Sequence, residues 1–343
     1  MLLKVGLKIL LGLLVCYGVW ADTLKLNPNH PDQYTVVKGD TLWDISGKFL
    51  QHPWQWPQLW ESNPQIKDPH WIYPGNTLYF GYQDGQPRLS LQPFGQEQKL
   101  QPQVRVSEIE EPIKMIPTDL VRPFLSSPKV VTEQELKQAP YVLALAGEHL
   151  LAGAGDQIYV RGLPENPPEH FTVYRQGSPF VSPLDHSVLG FEAQYVANAS
   201  LTVAGDPATL VINKSAGQIR EGDRLMVTED ESLSLNFFPR PPEQPITGSI
   251  LRVLGGVSQI GQFDVVVIDK GTADGVEVGH TLNVLQKGKL IVDRYASTSD
   301  QAVKLPDRRA GVIMVFRPFE RVSYALVMQA EGPIHTLDIV QTP

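Results

Sequence analysis

Between Tyr34 and Phe80 the order of residues leaves room for one small unit. Tyr34-Thr-Val-Val37 alternates as a half-buried strand does, and Gly39 lets the backbone fold over sharply. Asp40 or Thr41 stands where a side chain caps a helix. Leu42, Ile45 and Phe49 follow at helical spacing, so they face a core. Pro53–Trp60 starts a second helix with Pro57 in its first turn, and Asn63-Pro64 ends it. Pro74-Gly75 turns the chain into a closing strand, Thr77–Phe80. The predicted order is βααβ.

The chain ahead of this unit predicts an export signal over residues 1–21. Lys4 and Lys8 precede an apolar run, Ile9–Val15, and Val19-Trp20-Ala21 stands where a cleavage site belongs. The run is shorter than the roughly 20 apolar residues of a membrane span, so cleavage is expected rather than retention as an anchor. The expected location is the periplasm or cell envelope. Cys16 is the one cysteine and lies inside the signal, which leaves the mature chain without disulfides, thiol nucleophiles or thiolate metal sites. Net charge is −8, and −10 without Lys4 and Lys8, with no basic run. Nucleic acid is therefore excluded as a partner, and charge-driven attraction to an anionic membrane surface is not expected.

Three stretches, Tyr34-Thr-Val-Val-Lys-Gly-Asp-Thr-Leu-Trp-Asp-Ile-Ser46, Trp60-Glu-Ser-Asn-Pro64 and Ile72-Tyr-Pro-Gly-Asn-Thr-Leu78, together resemble the LysM module, placed here at residues 34–81. The resemblance implies a glycan ligand, the N-acetylglucosamine-containing backbone of peptidoglycan or chitin. It also implies a groove between the loop after the first strand and the loop before the second. Matched to this chain, one side is Gly39, Asp40, Thr41 and Leu42. The other side is Asn63, Pro64, Ile66, Ile72, Tyr73 and Pro74. N-acetylglucosamine offers an acetamide, hydroxyls and an apolar ring face without charge. The near balance of Lys38, Lys48 and Lys67 against Asp40, Asp44, Glu61 and Asp68 suits it. Gly39, Leu42, Ile45, Pro74 and Gly75 serve backbone and core as readily as sugar. Trp43 and Trp60 fall at helix positions that bury them. Trp54, Trp56 and Trp71 belong to segments longer than a minimal LysM loop, which either extend the groove or cover the core.

From Tyr82 to Pro140 prolines recur among Gln, Glu, Ser and Arg, which forbids a continuous helix or central strand. Residues 82–140 are expected to form an extended linker with one short helix at Thr132–Gln138, where Thr132 and Glu135 form a capping box. Beyond Tyr141 period-two patterns dominate in two blocks, 141–235 and 246–343, separated by Pro239-Arg-Pro-Pro-Glu-Gln-Pro245. Ile158–Gly162 parallels Val266–Gly271, Val188–Glu192 parallels Arg309–Ile313, and Val211–Asp223 parallels Val327–Asp338, as in degenerate copies. The expected fold class is α+β. It comprises the βααβ module, the proline-rich linker, and one or two mainly antiparallel all-β domains built as small barrels or sandwiches.

Catalysis is not expected. His149, His170, His186, His280 and His335 form no short-spaced metal pair, and no Gly-x-Ser-x-Gly elbow occurs. Asp206, Asp223, Asp269 and Asp274 sit at turns, where acids form the turn far more often than they catalyse. No cofactor and no metal are expected. The pattern of signal, single LysM-like unit and long β-rich tail resembles LysM proteins of Gram-negative bacteria. It implies a non-catalytic wall binder whose arm holds the β-region away from the wall. The alternatives are an envelope assembly or scaffold protein whose β-domains bind another protein and, third, a murein hydrolase. Oligomeric state, and the choice between peptidoglycan and chitin, stay open.

Overall fold

The structure, a computed structural model, describes residues 24–60, 72–83, 85–94, 116, 120–121, 124–125, 129–147, 150–228, 238–254, 260–293 and 301–343. The predicted signal, Asn63, Pro64, Ile66, Trp71 and His149 lie outside them. No helix among the described residues is long and apolar enough to cross a membrane.

The N-terminal unit consists of β1 (Gln33–Thr35), α1 (Leu42–Phe49), a 3-10 turn at Pro53–Gln55 running into α2 (Trp56–Trp60), β2 (Thr77–Gln83) and β3 (Gln86–Ser90). Thr41 caps α1. Its Oγ1 accepts the Asp44 N–H at 3.2 Å, and Asp44 Oδ2 accepts the Thr41 N–H at 3.3 Å. β1 pairs antiparallel with β2, which continues past the expected end at Phe80 into a hairpin with β3. β3 lies where the linker was expected to begin. Pro87 is tolerated in it because β3 is an edge strand with β2 as its one neighbour.

The linker's expected helix is α3 (Glu133–Gln138), with Thr132 and Glu135 as reciprocal cap at 3.2 and 2.7 Å. The described residues before it do not stand free. Ile116, Val121 and Leu125 are buried in one hydrophobic cluster with Leu42, Trp43 and Phe49 of the N-terminal unit. Prolines prevent regular structure here but not the burial of the aliphatic residues between them.

Two β-rings follow. The first comprises β5 (Tyr141–Leu145), β6 (Gln157–Arg161), β7 (His170–Val181), β8 (Val188–Val203), β9 (Ala208–Ser215) and β10 (Arg224–Val227), with β4 (Lys129–Val131) added beside β8. β9 pairs with both β6 and β8, which closes the circuit β5-β6-β9-β8-β7-β10. The second ring comprises β11 (Thr247–Leu254), β12 (Val265–Ile268), β13 (Thr281–Gln286), β16 (Arg308–Pro318), β17 (Ser323–Ala330) and β18 (Ile339–Gln341). Between β13 and β16 lie β14 (Leu290–Asp293) and β15 (Gln301–Lys304), which pair only with each other. This barrel closes as β11-β12-β17-β16-β13-β18, the same circuit in the same chain order.

The corners correspond as well as the circuits. The Gly222 and Asp223 backbone bonds to Val142 recur between Leu337, Asp338 and Ile250, at 2.7–3.0 Å throughout. Asp223 Oδ2 accepts the Arg220 N–H at 2.9 Å, and Asp338 Oδ2 the His335 N–H at 2.8 Å. Asp156 with Gly153 and Asp264 with Gly261 repeat the device, each at 2.8 Å. The acids singled out at turns at Asp206 and Asp223 are held by arginines: Arg161 grips Asp206, and Arg175 grips Asp223 at 2.7–2.9 Å.

Strands β12, β16 and β17 are buried on both faces. Val266, Ile313 and Val327 point into the barrel, whereas Val267, Met314 and Leu326 join the cluster that contains the N-terminal unit's core. The uninterrupted apolar runs Val265–Ile268, Val312–Phe316 and Tyr324–Met328 follow from this two-sided burial. Each such side chain contributes about 1.5–3 kcal/mol relative to exposure. The arm expected to hold the β-region away is therefore replaced by direct packing of the first unit on the second barrel.

Candidate glycan-binding site

The loops expected to flank a groove are two tight turns tied to each other. In the first, the Asp40 N–H donates to Val37 O at 3.2 Å, and Gly39 adopts φ +98°, which favours glycine. In the second, the Asn76 N–H donates to Tyr73 O at 3.0 Å with Gly75 at φ +85°. Asn76 Oδ1 in turn accepts the Tyr73 N–H at 2.9 Å. Val36 joins the two: its N–H donates to Asn76 O and its carbonyl accepts the Gly75 N–H, both at 2.8 Å.

Asp40 holds the first turn from inside. Its Oδ2 accepts the Val37 N–H and the Tyr34 hydroxyl, each at 2.9 Å. Burial, and then the hydrogen bond to Asp40 and its charge, push the Tyr34 phenol up to about 12. Lys48 Nζ sits 4.7 Å over the Tyr34 ring.

The expected site residues divide into two layers. Gly39 and Tyr73 are exposed, and Asp40 and Pro74 are half-buried at the surface. Thr41, Leu42 and Ile72 are buried beneath them, the first as helix cap and the others as core. Asn63, Pro64 and Ile66 lie outside the described residues. Sequence reasoning overlooked exposed Val37, the turn-locking Asn76, and Tyr34 as the partner of Asp40. A hydroxyl six residues before a turn acid was the available signal for the last. The surface offers turn backbone, a tyrosine ring, a proline and the exposed Lys38, while Asp40's carboxylate is engaged by the Tyr34 hydroxyl and the Val37 N–H. Backbone, ring and proline suit hydroxyl, acetamide and ring-face contacts.

The tryptophans among the described residues do not widen this surface, and Trp71 lies outside them. Trp43, Trp54, Trp56 and Trp60 are all buried, and Trp56 stacks 6.0 Å from Phe238. The Pro53–Pro57 segment thus covers the core. Among the described residues, no three or more His, Cys, Asp or Glu side chains gather as metal ligands. A separate recess of about 360 Å³ lies between α1 and β17, lined in part by Asn27, Trp43, Gln51, Gln262 and Gln329.

Residues 34–80 match the family model of the LysM domain. Over 68 residues the chain is 43% identical to YqbP, an uncharacterised protein of Bacillus subtilis (strain 168). That match takes in 16% of this chain and 31% of the relative, so the chain spans less than a third of the curated protein it resembles. LysM domains bind N-acetylglucosamine-containing glycans. Residues 34–80 are a LysM domain, and they support a role in binding glycan of the peptidoglycan or chitin type.

Proposed function

We propose that this protein is a non-catalytic cell-wall binder. On this reading it is exported to the envelope, recognises the N-acetylglucosamine-containing glycan of peptidoglycan through its LysM unit, and displays the paired β-barrels there. The observation that carries this reading is the lacing of the Val37–Asp40 and Tyr73–Asn76 turns through Val36, which pre-forms a surface of turn backbone, the Tyr73 ring and Pro74 around Gly39. A pre-formed surface avoids an ordering cost on binding.

The test is co-sedimentation of the full chain with purified insoluble peptidoglycan, competed with N-acetylglucosamine oligomers. Deleting the LysM unit is a poor control, because it would bare the apolar outer face of β12, β16 and β17 and make the remainder pellet by aggregation. Tyr73→Ala in the full chain is the appropriate one. Pelleting that neither the oligomers nor Tyr73→Ala reduces would end the proposal.

A second reading, an envelope scaffold that binds another protein through its β-region, is favoured by one feature. An apolar cleft of about 820 Å³ opens between β4, β10 and β16, lined by Val131, Met226, Val227, Phe316 and Phe319. That reading predicts a cross-linked partner lost in Val227→Glu and kept in Tyr73→Ala.

A further inference from the structure

Each barrel extends a β-ribbon, and the two ribbons differ in one respect: one is covered and the other is bare. In the first, β7 and β8 run on to Val181 opposite Val188. Phe180 there is 1% exposed: it joins the cluster on the outer face of β12, β16 and β17, and the Arg252 guanidinium of β11 lies 4.7 Å above its ring. Arg252 also donates to Glu192 Oε2 at 3.1 Å and to Pro179 O at 3.3 Å. Arg321 donates to Val188 O at 3.0 Å. The first ribbon therefore rests on a corner of the second barrel, made by β11 and the β16–β17 turn.

The second ribbon is the counterpart of the first. Val173 opposite Leu225 corresponds to Val284 opposite Val340, and the register breaks directly after both valines. Counting on from them without a gap aligns Gly177 with Gly288, and Pro179-Phe180-Val181 with Leu290-Ile291-Val292. In the second ribbon these three residues are 74%, 46% and 52% exposed, and Val303 opposite Ile291 is exposed too. Successive strand residues point to opposite faces, so both faces present aliphatic side chains to water. A two-stranded ribbon of that kind is marginally stable alone, and a contiguous apolar patch marks an interaction surface.

The receiving corner is duplicated as well. β11 bulges between Ile250 and Arg252 against β12, and β5 bulges between Val142 and Ala144 against β6. Leu143 thus stands where Leu251 stands, at 41% exposure, and the loop after β5 exposes Leu150 and Leu151. Ala144 replaces Arg252, which leaves the strand side of this corner without a cation and open to an aliphatic ribbon, beside the Arg161–Asp206 pair of the β8–β9 turn.

We propose that the β14–β15 ribbon docks on the Leu143 corner of a second copy of this chain, so that copies associate head to tail. The chain already makes this ribbon-on-corner contact once within itself, and it carries one further ribbon and one further corner unused among the described residues. Such a contact is heterologous: each added copy brings a new free ribbon, and the series does not close unless the rotation brings it round. Where each copy also holds glycan, an array multiplies the weak grip of one LysM unit. That consequence rests on the proposed wall binding, whereas the self-association does not.

The test is sedimentation equilibrium on the full chain and on two variants, Ile291→Glu in the ribbon and Leu143→Glu in the corner. The parent's average mass should exceed one chain and rise with concentration. Each variant alone should stay at one chain, and an equimolar mixture of the two should form a complex of two chains and no larger. That last result follows because one variant keeps the corner and the other keeps the ribbon. Circular dichroism identical to the parent's checks that both variants fold. Leu290→Lys is a second ribbon variant, should Ile291→Glu fail that check. A parent that remains a single chain, a Leu143 variant that associates as well as the parent, or a mixture that yields no pair each overturns the proposal. Association lost only with the ribbon variant would mean ribbon-on-ribbon pairing or another partner instead.

Discussion

Gly222 and Leu337 occupy the same corner of two barrels. Both have positive φ, +85° and +69°, and both donate their N–H to the equivalent strand residue, Val142 or Ile250, at 2.8 and 2.7 Å. Glycine takes this conformation freely, whereas leucine is held there against a steric cost of roughly 1–2 kcal/mol. Leu337 is 49% exposed, so it recovers little of that cost by burial. Leu337→Gly should therefore stabilise the protein by about 0.5–1 kcal/mol, after allowing for the greater unfolded-state freedom of glycine. Gly222→Ala should lose about 1 kcal/mol through the backbone alone, since a Cβ there meets nothing within 4 Å. Urea midpoints decide both, and a Leu337→Gly variant weaker than the parent would sink the correspondence of strain.

The pair also shows which parts of the fold the sequence made legible. Strand alternation and turn residues gave the two β-blocks, and the parallel of Val211–Asp223 with Val327–Asp338 falls on the same β9/β17 corner. The capping box at Thr132 could be read because Glu135 three residues on completes it, whereas the cap of α1 was open between Asp40 and Thr41 until the bond to Asp44 fixed it as Thr41. Packing between distant segments was not legible. Nothing local in Val312–Phe316 says what covers its outer face, and reading the β-blocks as alternating strands passed over the two-sided burial of this run. At the candidate site, helical spacing pointed Leu42 to the core, but nothing separated Ile72, which is core, from Tyr73, which is surface. One turn of backbone decides which way each points.

Tyr34 and Asp40 make a measurable pH window. The phenol's pKa is raised in the folded chain, from 10.0 to about 12. A group raised on folding contributes stability that is fully present below its unfolded pKa and is lost as pH rises through the folded value. The parent should therefore lose urea resistance between about pH 10 and about pH 12, and Tyr34→Phe should lose less over the same interval. Near neutrality Tyr34→Phe should cost about 1–2 kcal/mol, the worth of a hydrogen bond to a carboxylate. Parallel pH profiles for the two proteins would show that the bond does not form.

Surface and buried members of the candidate site should separate by readout. Tyr73→Ala should weaken glycan binding by about 1 kcal/mol, roughly fivefold in Kd, with an unchanged melting temperature, because the ring is 38% exposed. Ile72→Ala, with its side chain fully buried, should instead lose about 2–4 kcal/mol of stability. Calorimetric titration with N-acetylglucosamine oligomers, beside thermal melts, tells these apart. Equal loss of stability in both variants would contradict the two-layer arrangement.

Gly47 lies inside α1, where a Cβ would meet only Pro53 Cγ at 3.5 Å, an ordinary contact. A glycine at such a place costs the helix about 0.5–1 kcal/mol relative to alanine. Gly47→Ala should raise the melting temperature and leave glycan binding as it was. A lower melting temperature would mean that the backbone there is not held as a regular helix.

The shared cluster between the LysM unit and the second barrel makes the strongest demand on the whole chain. All six tryptophans lie at or before Trp71, so tryptophan fluorescence reports the N-terminal unit, while far-ultraviolet dichroism is dominated by the β-rings. Units joined only by a flexible arm would unfold in two separate transitions, and units that share a core should unfold together. Urea curves from the two signals should therefore coincide in the parent. Leu326→Asp places a carboxylate in the shared layer, where Leu326 is fully buried, and should cost more than roughly 3 kcal/mol. Because that loss falls on the joint, the fluorescence transition should move to lower urea and away from the dichroism transition. Two transitions already separate in the parent would show that the LysM unit and the barrel are independent bodies.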